Sequence, residues 1–229
     1  MAAAETGLEG IEILRALTAG DREALARRCR WRRFAEDEVI IDREQDSREV
    51  YLVVEGLVRV VDYSVQGREI SFAEIGAGGC FGELAALDGQ PRSAHVVAIA
   101  TTRTASLPGT AFIELLRDSP GVSLALMTHL AAVIRQSTGR IMDLSTMGAH
   151  NRIFAELLRE AKPSGNNRAI WSPAPVHADL AARVSTTRET VARALSDLAR
   201  KAIVAREGDS LVVNDLARLK AMVQHFRSE

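Results

Sequence analysis

The residue types best suited to chemistry in this 229-residue chain lie in one stretch, GAGGCFGELAALDGQPRSAHV, residues 76–96. Gly78, Gly79 and Gly82 allow the backbone to approach a ligand closely or to adopt positive φ. The segment GELAAL that follows fits one short helix, and the N–H groups at the start of a helix bind anions. The stretch therefore predicts an anion-binding site built on the backbone.

Three side chains in this stretch add specific chemistry. The guanidinium of Arg92 matches phosphate oxygens bidentately, and Ser93 adds a hydroxyl donor. Glu83 suits a phosphate site only if its carboxylate accepts hydrogen bonds from another group, such as a sugar hydroxyl. Together these groups indicate a ribose phosphate. On spacing alone, a glycine-rich corner in which Glu83 and Arg92 merely pair with each other is the alternative.

A second candidate site lies at residues 176–206, which hold six Arg or Lys residues and three acids. Arg188, Glu189 and Arg193 would project from the N-terminal part of one helix, while apolar residues pack inward. The predicted inward residues are Val191, Ala194, Leu195 and Leu198. Arginine pairs with guanine and glutamate accepts from the cytosine amino group, so this face predicts DNA recognition. The alternatives are a solvated face for the arginines and a capping box with Thr186 for Glu189.

The elements that must position these residues begin with a β region over residues 34–107. Short β-branched runs at about ten-residue spacing, broken by glycine, predict an antiparallel roll or barrel. The runs are EVIID (38–42), VYLVV (50–54), LVRVV (57–61), EISFAEI (69–75) and HVVAIA (95–100). A short helix precedes them, for which Thr18 and Asp21 form a capping box.

Residues 121–148 carry apolar or small residues at alternating spacings of three and four. These residues are Met127, Leu130, Ile134, Ser137, Ile141, Leu144 and Gly148. The pattern is typical of a coiled-coil seam about three heptads long. A seam of this length needs a cover, so it predicts dimerisation with a second copy. Packing back on its own domain is the alternative.

The region from His150 onward is helical with a β interruption. A helix, NRIFAELLREA, and a loop, KPSGNNR (162–168), precede two short helices, VHADLAARV and TRETVARALSDLARK. AIVAREGDSLVVND then predicts a hairpin that turns at residues 207–209, before a final helix. This order predicts a winged helix-turn-helix. The expected fold is α+β, with a β-roll domain (1–120), a dimerisation helix with hinge (121–148) and a winged helix-turn-helix domain (149–229).

Composition restricts the class of protein. Lys+Arg 29 against Asp+Glu 30 and 47% hydrophobic residues are ordinary for a globular chain, so nucleic-acid binding must come from a local patch. No apolar run approaches the ~18 residues of a membrane span, and no signal-peptide pattern is present, so we expect a cytoplasmic protein without a membrane partner. Cys29 and Cys80 predict reduced thiols. The five histidines lack metal-ligand spacing or a nucleophile motif, so we expect neither a metal nor catalysis.

FGELAALDGQPRSA resembles the phosphate-binding cassette of cyclic-nucleotide-binding domains. Residues 10–225 as a whole resemble the cyclic AMP receptor branch of the CRP/FNR transcription regulators, in the order roll, long helix and winged helix. The resemblance implies that a cyclic nucleotide binds with its ribose 2′-hydroxyl on one acidic side chain and its cyclic phosphate on an arginine and a serine. The implied ligand-binding residues in the cassette are Gly82, Glu83, Leu84, Arg92 and Ser93.

The family also reads the purine from the dimer helix, with a hydroxyl pair at the place of Ser137 and Thr138. By this resemblance the partner helix contributes to the same base site. For Ser137, selection of the coiled-coil register is the alternative. The order Ser-Thr departs from the usual Thr-Ser, and hydroxyls both donate and accept. Cyclic AMP is therefore favoured only by its frequency in the family, and cyclic GMP stays open.

STTRETVARAL resembles the recognition helix of the family. The resemblance implies an inverted repeat of TGTGA-like half-sites, read by Arg188, Glu189 and Arg193, while Thr187 and the wing at 206–210 contact phosphates. Double-stranded DNA, a second copy and RNA polymerase are the implied partners. The nucleotide would select one of two geometries near a hinge at residues 144–150.

Four alternative functions can be compared with the one that the resemblance implies. An iron–sulfur sensor would need four cysteine ligands, and a haem sensor would need axial ligands, for which Cys80 and His95 are weak candidates. A ligand-independent DNA-binding protein would dispense with the cassette. A regulatory subunit acting on a partner protein would have no need for Arg188 and Arg193.

Overall fold

The computed structural model describes residues 7–67 and 69–227. The chain divides between Ile134 and Arg135 into two compact units. Each unit contains helices and an antiparallel β structure, which confirms the predicted α+β class.

The N-terminal unit contains the predicted antiparallel roll. Its elements are a 3-10 helix (Glu12–Leu14), α1 (Ala19–Arg28), β1 (Arg30–Phe34), β2 (Val39–Ile41), β3 (Val50–Glu55), β4 (Leu57–Tyr63), β5 (Glu69–Gly76), β6 (Cys80–Phe81), α2 (Glu83–Asp88), β7 (His95–Ala98), β8 (Thr102–Leu107) and α3 (Gly109–Asp118). Two four-stranded sheets are formed, in the orders β1-β8-β3-β6 and β2-β7-β4-β5. The Oγ1 atom of Thr18 accepts a hydrogen bond from the backbone N–H of Asp21 at 3.2 Å, so the predicted helix cap is confirmed.

The five β-branched runs all form strands, whereas β1, β6 and β8 are additional. Strand β1 has the sequence RWRRF, whose three arginines give little sign of a strand. Its pairing with β8, in which Trp31 lies opposite Ala105, decides its conformation. Tertiary pairing therefore overrides the weak local preference of this segment.

Two apolar clusters hold the roll together. One lies between the sheets and includes Phe34, Val53 and Phe81. The other lies between the outer face of the β1-β8-β3-β6 sheet and the helices that cover it, and includes Leu52 and Phe112. Strand β3 contributes to both clusters, because its alternate side chains point to opposite faces of the sheet.

A helix of 27 residues, α4 (Pro120–Thr146), runs through the division between the units. The elements after it are α5 (Ala149–Glu160), β9 (Lys162–Pro163), β10 (Ala169–Trp171), α6 (His177–Arg183), α7 (Arg188–Arg200), β11 (Val204–Glu207), β12 (Ser210–Val213) and α8 (Leu216–Arg227). The strands β11-β12-β10-β9 form one antiparallel sheet. The hairpin of β11 and β12 turns at Gly208, as predicted.

Two details of this region differ from the sequence prediction. The expected loop 162–168 begins with the short strand β9, which pairs with β10. Gly148 is not a helical seam position, because α4 ends at Thr146 and Gly148 has extended backbone as the N-cap residue of α5. Glycine has little tendency to extend a helix, and here it separates two helices.

The apolar row of α4 is largely exposed in the single chain. Ile134 is 65% exposed and Ile141 is 64% exposed, and Met127 and Leu144 are exposed as well. Leu130 is the exception, since it packs against the apolar cluster of the N-terminal unit. Within the described residues, no helix combines the length and the apolar character needed to span a membrane.

Candidate functional site

Gly82 connects β6 to α2 and adopts a backbone conformation that other residues rarely take. Its φ is 81°, in the left-handed region, and it is the N-cap residue of α2. A Cβ atom at this position would lie 2.7 Å from Nη1 of Arg92 and 2.8 Å from the carbonyl oxygen of Glu49. Both the backbone angle and the close approach of Arg92 therefore require glycine.

Arg92 is buried against this turn, with 4% of its surface exposed. Its Nη1 donates to the carbonyl of Gly82 at 2.8 Å, and its Nη2 donates to the carbonyl of Glu49 at 2.9 Å. Nε and Nη2 both donate to the hydroxyl of Ser47, at 3.2 and 3.0 Å. All four hydrogen bonds end on neutral oxygens. The buried cation thus has no ion-pair partner among the described residues, and only the charges of the nearby Tyr51, Glu49 and Glu83 oppose the effect of burial on its pKa.

Glu83 lies at the first position of α2, close to this cation. Burial raises the pKa of its carboxyl group, while its own backbone N–H, His129 and Arg92 lower the pKa by smaller amounts. Among the described residues, no hydrogen bond or ion pair joins Glu83 to Arg92. The simple Glu83–Arg92 pair that spacing alone allowed is therefore not formed. The carboxylate stays available to accept hydrogen bonds from a ligand.

The other predicted cassette residues are accessible. Leu84 is exposed on α2, and Ser93 is exposed directly after Arg92. Ser137 and Thr138 are also exposed, on the part of α4 that belongs to the second unit. Their role in reading a base stays a prediction.

Sequence reasoning missed Ser47, Glu49 and Tyr51, which surround Arg92 or lie beside it. The hydroxyl of Tyr51 donates to Glu49 at 3.0 Å, and its ring stacks on Phe81 with centroids 5.0 Å apart. Burial is the largest cause of the raised pKa of Tyr51, followed by the charge of Glu49. These residues lie at least 30 positions before the cassette, which begins at Phe81. Only the pairing of β3 with β6, which sets Tyr51 opposite Phe81, brings them to it.

Both cysteines of the chain lie in the N-terminal unit. Cys80 precedes Phe81 in β6 and is buried, and burial raises the pKa of its thiol to about 12. Cys29 is half-buried beside β1, and burial raises its pKa to about 11. Both thiols are unreactive in this conformation, because the thiolate is the nucleophile.

The second candidate site is built on α7. Thr187 is its N-cap residue, and the Oγ1 atom of Thr187 accepts from the N–H of Thr190 at 3.3 Å. The predicted cap at Thr186 is therefore wrong by one residue. Hydrogen bonds from its own backbone N–H and from Thr187 hold the pKa of Glu189 below its usual range. The carboxylate of Glu189 is charged and faces solvent.

The two faces of α7 follow the predicted division. Val191, Ala194 and Leu198 are buried in the core of the second unit, and Leu195 packs against it at its edge. The exposed positions include all four predicted DNA-binding residues, Thr187, Arg188, Glu189 and Arg193. This face can therefore present donors and acceptors to a groove of DNA.

A largely buried group of charged residues lies in the second unit, on α4, α5 and α6. Glu156 of α5 is 1% exposed and forms ion pairs with Arg140, Arg159 and Arg183. Asp143 pairs with Arg159 at 2.7 Å, and Glu160 lies 3.4 Å from Arg183. We call these six residues, Arg140, Asp143, Glu156, Arg159, Glu160 and Arg183, the charge cluster. It joins the last turns of α4 to α5 and α6.

Arg152 fixes the turn between α6 and α7. Its guanidinium donates to the carbonyl of Met147 at 2.8 Å, to that of Val184 at 2.8 Å and to that of Ser185 at 3.1 Å. Ser185 has a positive φ of 51°. A side chain of α5 therefore fixes the backbone that leads into α7.

Two family models match the chain. The model of the cyclic nucleotide-binding domain matches residues 31–119, and that of the Crp-like helix-turn-helix domain matches residues 151–222. A cyclic AMP receptor protein of Thermus thermophilus is 33% identical over 172 residues, which are 75% of this chain and 77% of that protein. The chain belongs to the CRP/FNR family of transcription regulators. Like its relatives, it is a cyclic-nucleotide-binding, DNA-binding regulator of transcription.

Further relatives of this CRP/FNR regulator agree. A CRP-like cAMP-activated global transcriptional regulator of Mycobacterium tuberculosis is 28% identical over 173 residues, covering 74% of this chain and 77% of that protein. The solved structure of a CooA mutant from Carboxydothermus hydrogenoformans has a TM-score of 0.80 at 21% identity, covering 93% of this chain and 94% of that one. The latter likeness concerns the fold. In the part of the chain that the structure describes, no three His, Cys, Asp or Glu residues are grouped so that they could hold a metal ion.

Proposed function

We propose that this regulator responds to cyclic AMP and acts as a homodimer on an inverted repeat of TGTGA-like half-sites. The observation that carries the proposal is Arg92, a buried guanidinium surrounded by neutral oxygens at a left-handed glycine. Such a cation favours an anionic ligand that can reach it. The relatives from Thermus thermophilus and Mycobacterium tuberculosis, whose names specify cyclic AMP, support the choice of nucleotide.

The proposed roles in the nucleotide site follow from the chemistry of each group. Arg92 and Ser93 bind the cyclic phosphate, and Glu83 accepts from the ribose 2′-hydroxyl. Gly82 and Leu84 bring backbone close to the ligand. The base is read by two hydroxyls on α4, Ser137 and Thr138. Because hydroxyls serve either purine and the order Ser-Thr departs from the usual Thr-Ser, a cyclic-GMP-responsive regulator is the second candidate.

The dimer is proposed on the exposed apolar row of α4. Ile134 and Ile141 lie seven residues apart and are each about two-thirds exposed. This spacing is typical of a coiled-coil seam, which a second helix would cover. A second copy of the same helix would cover both. In the dimer the nucleotide would favour one geometry near residues 144–150, in which the two recognition helices are about 34 Å apart.

On DNA, we assign base contacts to Arg188, Glu189 and Arg193 and phosphate contacts to Thr187 and the wing at 206–210. Thr187, the N-cap residue of α7, is exposed, as are Arg188, Glu189 and Arg193. RNA polymerase is the expected protein partner. The domain boundaries proposed are 1–120, 121–148 and 149–229.

The first test is calorimetric titration of nucleotide-free protein with cyclic AMP and, separately, with cyclic GMP. We expect one cyclic AMP to bind per chain, and Arg92→Leu to abolish the binding while circular dichroism stays unchanged. Arg48→Leu is the matched control, since Arg48 is an exposed arginine of the neighbouring segment. Unchanged binding by Arg92→Leu would reject the proposed nucleotide site. Tighter binding of cyclic GMP than of cyclic AMP would identify cyclic GMP as the effector.

The coupling between the two sites has its own test. If the nucleotide favours the DNA-binding geometry, operator DNA must tighten nucleotide binding by the same factor. Titration of the protein with and without a duplex that holds the inverted repeat measures this factor. Equal affinities would contradict the coupling and leave the two binding activities independent.

A further inference from the structure

The hydroxyl of Ser47 occupies one whole edge of the Arg92 guanidinium. Its Oγ accepts from Nε at 3.2 Å and from Nη2 at 3.0 Å, the two nitrogens that lie side by side on that edge. The Nη1–Nη2 edge is divided between two backbone carbonyls, those of Gly82 and Glu49. Four of the N–H groups of this side chain are therefore already bonded within the protein.

The three acceptors differ in how easily they can be exchanged. The carbonyl of Gly82 belongs to the turn between β6 and α2, and that of Glu49 lies next to β3, and these strands pair with each other. Ser47 lies in the segment between β2 and β3, outside any strand or helix. Its hydroxyl turns about a single side-chain bond. Ser47 is therefore the acceptor that a ligand can displace without moving the sheet.

A phosphate would bind to the same N–H groups of Arg92 that Ser47 now occupies. Bidentate binding of a phosphate by arginine uses two parallel N–H groups on one edge of the guanidinium. The Nε–Nη2 edge is the one whose present acceptor is a side-chain hydroxyl and not a backbone carbonyl. Resting on the nucleotide site proposed above, we infer that Ser47 sets the affinity of this regulator for its nucleotide by competing with the phosphate for the Nε–Nη2 edge of Arg92.

The competition predicts an unusual sign. A hydrogen bond that is broken when the ligand binds weakens binding, so removing the hydroxyl tightens it. Because hydrogen bonds to charged groups are stronger than neutral ones, we expect Ser47→Ala to raise the affinity for cyclic AMP by about fivefold to tenfold. Ser47→Thr keeps the hydroxyl and should bind as the parent does. Ser47→Cys, with a weaker acceptor, should lie between them.

The experiment is calorimetric titration of the full-length protein with cyclic AMP for the parent, Ser47→Ala, Ser47→Cys and Ser47→Thr. The same alanine exchange is made in an Arg92→Lys background, because an ammonium group has no Nε–Nη2 edge. We expect the gain in affinity to disappear there, so that the double-mutant cycle shows coupling between the two residues. Unfolding curves confirm that each variant is folded. If Ser47→Ala does not fold, Ser47→Cys replaces it in the comparison.

Each other result has a defined meaning. Weaker or unchanged binding by Ser47→Ala overturns the competition, as does an equal gain in the Arg92→Lys background. Neither result contradicts the assignment of the nucleotide site to Arg92. That site fails separately, if Arg92→Leu binds cyclic AMP as the parent does.

Discussion

Two buried charges, one in each unit, are held in opposite ways. Arg92 in the roll is 4% exposed and donates to neutral oxygens, whereas Glu156 of the charge cluster is 1% exposed and pairs with three arginines. Burying a charge costs free energy unless it is hydrogen-bonded and neutralised. Glu156 satisfies both conditions, because it accepts hydrogen bonds from Arg140 and Arg159 and pairs with all three arginines. Arg92 is hydrogen-bonded but forms no ion pair, and the nearby carboxylates of Glu49 and Glu83 offset the effect of burial on its pKa only in part.

The comparison separates a structural use of charge from a binding use. In the charge cluster three acids face three arginines, and Glu156 is the one acid that pairs with all three arginines. The cluster joins the end of α4 to the two helices that follow it in the DNA-binding unit. In the roll, burial itself lowers the pKa of Arg92, and a bound phosphate would reverse that effect.

The largest effect is expected in the charge cluster. Glu156→Ala should lower the free energy of unfolding by about 3–5 kcal/mol, because it leaves three arginines without their central acid. Urea unfolding of the parent and the variant measures it. Glu160→Ala removes a less buried acid of the same cluster and should cost clearly less. Equal losses would remove the distinction between the centre of the cluster and its edge.

A smaller loss of stability is expected in the roll. Arg92→Met fills the same space without a charge but leaves the carbonyls of Gly82 and Glu49 without their donor. We expect the free energy of unfolding to fall by about 1–3 kcal/mol, less than for Glu156→Ala in the same urea series. A loss as large as that of Glu156→Ala would mean that Arg92 is mainly a structural residue, against the comparison above.

An exposed arginine provides a third environment. Arg188→Ala should leave unfolding unchanged within about 0.5 kcal/mol, yet weaken binding to the cognate inverted repeat by about 1–3 kcal/mol and relax one base preference. Arg200→Ala, an exposed arginine at the other end of α7, is the control and should bind the repeat as the parent does. Fluorescence anisotropy on cognate and random duplexes measures both. An equal loss on random DNA would indicate a phosphate contact instead.

The smallest effect concerns Glu83. Because burial raises its pKa in the folded chain, the folded state binds this proton more tightly, and stability falls as the pH rises from about 4.3 through that raised value. Glu83→Gln should therefore stabilise the fold at pH 7 by less than about 1 kcal/mol and flatten the pH dependence. Unfolding curves between pH 4 and 7 test this. A less stable variant at pH 7 would show that the carboxylate is satisfied by the protein itself.

Much of the fold follows from local patterns in the sequence. The β-branched runs, the spacing of apolar residues on α4 and the hairpin around Gly208 each predict the element that forms there. The pattern fails at β1, where arginines hide a strand that is decided by its pairing with β8. It fails by one residue at the cap of α7, because Thr186 and Thr187 are adjacent and chemically equivalent candidates.

The candidate site was predictable only in part, for a related reason. Gly82, Glu83 and Arg92 lie within eleven residues of one another, so their spacing carries information. Ser47 and Glu49 reach Arg92 through strand pairing across more than 40 positions, and no local pattern marks them. Contacts of this kind depend on register, which sequence alone leaves open.

The reactivity of the buried thiol of Cys80 reports how often the roll opens locally. With a pKa of about 12, only about one thiol in 10⁴ is ionised at pH 8, so an alkylating reagent must wait for β6 to leave the sheet before it reacts. The labelling rate of Cys80 would thus count openings of the strand that ends at Gly82. Cys29, half-buried in the same unit, offers a second rate for reference. A ligand that seals the turn at Gly82 should slow the first rate far more than the second.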